Sequence, residues 1–353
     1  MKKKELMKKF LSAALVLSMA VAPMLPAVRV NAAAAGGAYS MYTGEPTTAD
    51  AAAQRPIAVM MPTDKVAQPS YGISNAKVLY EIMEEGDISR QLAVIDNWQG
   101  LEKIGNVRSC RLYYIPEAKE WDPILIHFGG VVYMKDAITA ADVDNISGTS
   151  EYGVGGAAPG SAKFWRTTDR KAPHNAYISA SGITAAAKEL GYSLTVRQQY
   201  YRPNHFTFAQ AGNDLSQYGA GAVSANKVDL SKVFPYTKSA FTYDPASGLY
   251  LKTLHGAAQK DGNNGQQLAF ANIIIQSTKW SKADSHGYLS FQNIDNTEDG
   301  YFVTKGKAIH IHWIKTADHE PTKYYDDANN EIQLNVGKTY IAIAQKGRAP
   351  IFQ

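Results

Sequence analysis

The chain has 353 residues, 45% hydrophobic and 19% charged, with 36 Lys and Arg against 32 Asp and Glu. Its single cysteine, Cys110, excludes an internal disulfide, so stability must come from burial, and the length suffices for two domains with their own cores. Residues 1–32 hold five Lys and Arg29 against Glu5, which leaves 30 bases and 31 acids in the remainder, so the net charge of +4 gives no argument for nucleic acid as a partner.

Lys2, Lys3, Lys4, Lys8 and Lys9 precede an apolar run from Phe10 to Leu25, and Val30-Asn31-Ala32 supplies a small-x-small cleavage pattern. The run is short for a membrane span, which needs about 20 apolar residues. Residues 1–32 are therefore expected to be a secretory signal peptide, with the mature chain starting near Ala33 and working outside the cytoplasmic membrane. No cysteine follows the run to carry a lipid, and no later segment is apolar for long enough to span a bilayer. The mature protein is expected to be secreted, or held at the cell envelope by binding. Residues 33–53, rich in Ala and Gly, read as a flexible tether.

Arg55 to Pro62 is a short apolar run between prolines, which suits a buried strand. Ser74 to Met83 has a capping residue followed by helical spacing, with Gly86 as a stop, and predicts a helix. Gln91 to Asp96 and Ile124 to Phe128 are strand-like, Ile115 to Trp121 is helical, and Val132 to Ala140 is a further helix after the Gly129-Gly130 turn. Residues 141–162 read as a long loop, and Ser181 to Leu190 as a helix ended by Gly191. This alternation predicts an α/β domain over 54–210. Composition loosens over 211–235, a domain junction. From 236 to 353 short β-type runs follow one another: Ser239 to Tyr243, Tyr250 to Leu254, Ala271 to Gln276, Tyr301 to Thr304, Ala308 to Ile314 and Thr339 to Ala344. Turn pairs at Asp261-Gly262, Asp299-Gly300, Asn329-Asn330 and Val336-Gly337 separate them and predict a mostly β domain.

The densest polar constellation lies in the first domain: Arg90, Arg108, Ser109, Arg111, His127, Gly129, Gly130, Arg166, Arg170, His174 and Asn175. Arginines beside turns suit bidentate binding of phosphate or carboxylate, and the Gly129-Gly130 turn offers backbone N–H groups to an anion. The alternative is that these arginines pair with Glu81, Glu84, Glu85, Asp87 and Glu117. Cys110, between Arg108 and Arg111, is the candidate for a thiolate paired with His127 or His174, against the ordinary fate of a lone cysteine as a small buried residue. His310 and His312 share a strand face, with Asp318, His319 and Glu320 beyond, but this spacing is not specific for metal and none is expected. Trp313, on the other face, reads as core. No P-loop, dinucleotide fingerprint, zinc-protease helix or Ser-His-Asp signature is present, and no cofactor is implied.

Arg55-Pro56-Ile57-Ala58-Val59-Met60, Tyr80-Glu81 with Glu85-Gly86 and Arg90, Lys103 to Ser109 with Arg111, His127 with Gly129-Gly130, and Arg170 with Ala172-Pro173-His174-Asn175 together resemble the YerB-like bacterial lipoproteins. The resemblance runs from about Arg55 to the C-terminus, more loosely through Asn272 to Gln276, Trp313 to Lys315 and Gly337 to Thr339. It implies an envelope protein with an α/β domain and then a β-rich domain, in a family of unknown function. This sequence departs from the family in lacking the lipid-attachment cysteine, and in carrying Cys110 where a small residue such as alanine is usual. The order of an Arg, a basic Arg-x-x-Arg segment, a strand and a Gly-Gly turn is also similar in layout to the LytR-CpsA-Psr envelope transferases, which suggests a ligand class only.

The expectation is an extracytoplasmic protein that binds an anionic envelope ligand, such as a pyrophosphate-linked lipid or a peptidoglycan fragment. Arg90, Arg108, Arg111, Arg166 and Arg170 would clamp it, and His127 and His174 would orient it. Two alternatives stay open: a cell-wall hydrolase or transferase with His127 or His174 as general base, and a scaffold that binds envelope proteins through its β domain.

Overall fold

Ile57–Pro62 forms a strand with every residue buried, as a continuous apolar run demands when both faces of a sheet are covered. Around it the chain builds an eleven-stranded mixed sheet. From one edge the order is Val223–Ser224, Lys307–Lys315, Asn296–Thr304, Asn272–Thr278, Thr339–Gln345, Val78–Met83, Ser89–Ile95, Ile57–Pro62, Ile124–His127 and Asn145–Ser147, with Lys323–Tyr325 also paired to Lys307–Lys315. The computed structural model describes residues 38–152, 163–294 and 296–353; the expected signal peptide lies outside them.

The first half supplies the α/β part and the second half is β-rich, as the sequence pattern requires. The two halves share the sheet. Thr339–Gln345 runs parallel to Val78–Met83, with Thr339 opposite Val78 and Ile343 opposite Ile82. A second, six-stranded sheet, centred on Ala240–Asp244 and Leu249–Leu254, meets this seam. Its Phe241 and Phe270 pack on Tyr340 at ring separations of 4.7 and 5.7 Å. Among the described residues no helix is long and apolar enough to cross a membrane.

Two buried ionic clusters fix these layers. At the seam, Glu81 pairs with Lys252 at 3.1 Å with both side chains fully buried, and accepts from Ser89, Gln91, Ser239 and Tyr340. Beneath the helix Ile115–Lys119, Glu120 pairs with Lys315 at 3.0 Å and accepts from Tyr80 and Thr322. Glu117 is buried beside this second cluster without a cation of its own among the described residues, and burial followed by the charge of Glu120 pushes its pKa up to about 8. Arg55, which opens the first motif, is also a core anchor: its Nε donates to Asp122 O at 2.8 Å, and its Nη1 pairs with Asp144.

Four sequence expectations are corrected. Ser74 to Met83 is a 3-10 turn at Ile73–Asn75 followed by the strand Val78–Met83, all of it buried. A short, mostly apolar run satisfies helical and two-sided strand patterns alike, and here pairing on both edges decides. Asp299-Gly300 is not a turn but mid-strand in Asn296–Thr304, where a Cβ on Gly300 would run into the Ile275 carbonyl oxygen of the adjacent strand. The loop expected over 141–162 contains the edge strand Asn145–Ser147 and a turn at Ser150–Tyr152; residues 153–162 are outside the described residues. From residue 38 onward the expected tether is packed: Ala38–Tyr39 pairs with Pro46–Thr47, and the buried Tyr42 ring lies 5.4 Å from Trp121.

Candidate functional site

The polar motifs converge where Lys103 to Cys110 passes the end of Ile57–Pro62. Arg108 N donates to Met60 O at 2.9 Å, and Cys110 N to Gly129 O at 3.0 Å, so Arg108 and Cys110 lie between the first strand and the Gly129-Gly130 turn. Asn106 anchors the opposite wall, its Nδ2 donating to Ala67 O at 3.0 Å and to His174 O at 2.7 Å.

The eleven residues expected to form a site fall into three groups. The first is centred on Arg108. Its Nη1 donates to Asp64 Oδ2 at 3.0 Å and to His174 Nδ1 at 2.9 Å. Arg170 Nη1 donates to Ala67 O at 2.6 Å and Pro69 O at 2.9 Å. Arg166 Nη1 donates to Asn175 Oδ1 at 2.7 Å, and Asn175 Nδ2 in turn donates to Arg170 O at 3.1 Å. Arg108, Arg166, Arg170, His174 and Asn175 thus belong to one network, with Arg166 stacked 4.4 Å from the Phe128 ring. Each of the three arginines spends its hydrogen bonds through Nη1 alone, and among the described residues its Nη2 meets no acceptor.

Electrostatics mark the same place. Burial first, and then the neighbouring charge of Arg90, lowers the Arg108 pKa. Burial, and next Arg108, lowers that of His174, with Arg170 and Arg90 adding to the effect and Asp64 opposing it. Because Arg108 donates to Nδ1, the His174 ring carries its proton on Nε2 and presents a donor.

The second group is internally neutralised. Arg90 Nη1 pairs with buried Glu84 at 2.8 Å and donates to Ser109 O at 2.5 Å. Arg111 forks onto Glu85 through Nε, at 3.1 Å, and Nη2, and lies 3.8 Å from Glu84. Ser109 Oγ donates to Phe128 O at 3.1 Å. These three hold the loop in place.

The third group is structural. His127 is fully buried, with Nδ1 2.9 Å from Gly129 O and Nε2 3.1 Å from Asn145 Oδ1, and burial lowers its pKa. Among the described residues it meets Gly129, Asn145 and Tyr152 and none of the arginines, and its burial keeps it from facing a ligand as base or orienting group. Gly129 takes a φ of 77° to make the turn. Its carbonyl accepts from Cys110 N, and the Gly130 carbonyl accepts from Tyr152 Oη at 2.7 Å. A 3-10 turn and the four-residue helix Lys135–Ile138 follow, too short to offer an anion a helix N-terminus.

Cys110 is buried, and burial pushes its thiol up to about 12 despite the opposing charges of Arg111 and Arg90. At pH 8 only about one molecule in ten thousand would carry the thiolate. The native protein is therefore expected to resist Ellman's reagent at pH 8 and to release one equivalent on unfolding in guanidinium. Rapid reaction of the folded protein would contradict the burial argument.

His310, His312 and His319 each have separate partners, and His310 Nε2 also lies 3.5 Å from Asp299. His310 Nδ1 sits 2.6 Å from Asp327, His312 stacks on Tyr325, and His319 lies 2.9 Å from Asp142 with Tyr200 on its face. Glu320 pairs with Arg202 at 2.8 Å and Asp318 with Lys119, while Trp313 is core. Among the described residues no three His, Cys, Asp or Glu side chains are grouped to hold a metal. The sequence did not point to Asp64, Asn106 or Phe128, whose roles depend on contacts 38 to 68 residues away along the chain.

Comparison with known proteins places the chain. Residues 42–193 match the N-terminal domain, and residues 230–341 the C-terminal domain, of the protein of unknown function DUF3048. The Bacillus subtilis protein named "Putative lipoprotein YerB" is 28% identical over 271 residues, covering 77% of this chain and 76% of its own. The crystal structure of YerB from Bacillus subtilis superposes with a TM-score of 0.75 at 24% identity, over 89% of this chain and 99% of that one, and so shares the fold.

Proposed function

The chain belongs to the YerB-like DUF3048 family, whose N- and C-terminal domains it carries in order, and from that premise we propose that it is an extracytoplasmic cell-envelope protein that binds an anionic, phosphate- or carboxylate-bearing envelope ligand at the Arg108 network. A relative named as a lipoprotein and the charged, then apolar, N-terminal sequence support the envelope location.

One observation carries the ligand class. Arg108, Arg166 and Arg170 are joined through His174 and Asn175 into one network, and each keeps a guanidinium nitrogen without a protein acceptor among the described residues. Three cations and an imidazole N–H face two carboxylates, Asp64 at 3.0 Å from Arg108 and Asp169 at 3.6 Å from Arg170, a set with one positive charge in excess that an anion completes through charge-assisted hydrogen bonds. The five-arginine clamp is thereby reduced to three, because Arg90 and Arg111 are spent on Glu84 and Glu85. The His174 tautomer favours binding over catalysis, since a ring that accepts from Arg108 at Nδ1 has no lone pair left to act as a base at Nε2.

Thermal unfolding with inorganic pyrophosphate, succinate and an ionic-strength-matched chloride control tests this. A ligand at 100 times its Kd stabilises by about 2.7 kcal/mol. Pyrophosphate or succinate is expected to raise Tm above the chloride control. Arg108→Ala should abolish that rise, whereas Arg111→Ala should lower the baseline Tm and retain it. No rise with either anion, or the same rise in Arg108→Ala, would overturn the proposal.

A further inference from the structure

A cavity of about 430 Å³ lies apart from the Arg108 network, lined by Arg111 to Lys119, by Val131 to Ala140, and by Ala283 to Ile294 of the hairpin that pairs Trp280–Lys282 with Leu289–Phe291. Its volume is within the roughly 300–1,000 Å³ typical of small-molecule sites. Tyr113, Ile115, Val131, Ala137, Leu289 and Phe291 make its wall mostly apolar. The hairpin is tied across it by Tyr133, whose hydroxyl donates to Asp284 at 2.5 Å and whose ring meets Tyr288 at 5.9 Å.

The charged groups in this wall are already compensated. Arg111 is forked onto Glu85, and Lys119 sits between Asp142, at 2.8 Å, and Asp318. An ionic ligand group would lose its hydration here and find no free counter-charge, so the wall complements an uncharged occupant. The apolar surface also continues past the cavity: Leu112 and Tyr133, in its lining, are 42% and 48% exposed, and the adjacent Val132 is 71% exposed. An occupant that covers both the cavity and this rim is longer than a single ring.

We propose that the cavity binds one uncharged hydrocarbon chain, with a lipid of the envelope as its source; that source, but not the binding, rests on the envelope location proposed above. Burying each methylene is worth about 0.8 kcal/mol, so the affinity for straight-chain alcohols should rise about 4-fold per added carbon until the cavity and rim are filled.

Displacement of the neutral fluorophore N-phenyl-1-naphthylamine by octanol, decanol, dodecanol and tetradecanol tests this on the whole chain. The expected result is saturable 1:1 displacement that strengthens with chain length. Ala137→Trp, which fills the space from the wall helix, should weaken dodecanol at least 10-fold without lowering Tm; Ala140→Leu serves if the tryptophan variant fails to fold. The proposal is overturned if displacement is independent of chain length, if N-acetyltryptophanamide competes as well as dodecanol, or if a folded filling variant binds dodecanol as the native protein does. Pyrophosphate binding does not enter the readout, so this proposal and the anion proposal fail separately.

Discussion

Lys252→Met is expected to destabilise the protein by about 3–5 kcal/mol, the range for removing one partner of a buried ion pair. Lys252 and Glu81 are both fully buried, 3.1 Å apart. Burial alone would raise the Glu81 pKa; Lys252 and the hydrogen bonds from Ser239, Ser89 and Gln91 keep it below its ordinary value. Without the ammonium, a desolvated carboxylate is left with neutral donors only. Removing both charges in Glu81→Gln/Lys252→Met should recover more than half of the loss, because the cost lies in the orphaned charge rather than in the missing attraction. Glu81 sits on Val78–Met83 and Lys252 on Leu249–Leu254, from opposite halves of the sequence. Urea unfolding followed by tryptophan fluorescence should therefore shift as one transition. A single mutant within about 1 kcal/mol of the native protein would show that the pair contributes little.

The second large effect depends on pH and has the opposite sign. Glu117 is buried with a pKa raised to about 8, while in the unfolded chain it titrates near its ordinary value of 4.5. Between these values the folded state holds a proton that the unfolded state has released, so stability falls as pH rises from about 4.5 to 8, by up to about 1.4 kcal/mol per unit. The adjacent Glu120 stays ionised because, against burial, Lys315 lowers its pKa, which keeps the proton on Glu117. Glu117→Gln replaces a protonated carboxyl by a neutral isostere. It should leave stability at pH 4 nearly unchanged and raise it by on the order of 4 kcal/mol at pH 8. Urea denaturation at both pH values checks this, and equal effects at the two would rule out a protonated Glu117.

The six short β-runs of the second half were legible because turn residues separate most of them and burial alternates in strands such as Leu249–Leu254 and Lys307–Lys315, and the helix Ala180–Leu190 because Ser179 caps it and Gly191 ends it with φ 73°. Val78–Met83 was misread as a helix because a fully buried strand loses the period of two that identifies a strand. The same effect hid the shared sheet, since no local pattern announces that Thr339–Gln345 pairs with residues some 260 positions earlier. At the site, sequence placed the arginines near one another but could not assign their partners. Arg90 and Arg111 resemble Arg108 until Glu84 and Glu85 are seen beside them, and His127 resembles His174 until its burial is known.

The central claim is that the Arg108 network is an anion site completed by its ligand, and the His174 ring reports on it directly. Imidazole nitrogen NMR of His174, titrated over pH with and without inorganic pyrophosphate, measures the charge it feels. The account predicts a pKa below the ordinary 6.5 in the free protein, because burial and then Arg108 lower it, and a rise of about one unit when bound pyrophosphate offsets the arginines. A His174 titration curve that does not move at saturating pyrophosphate would contradict it.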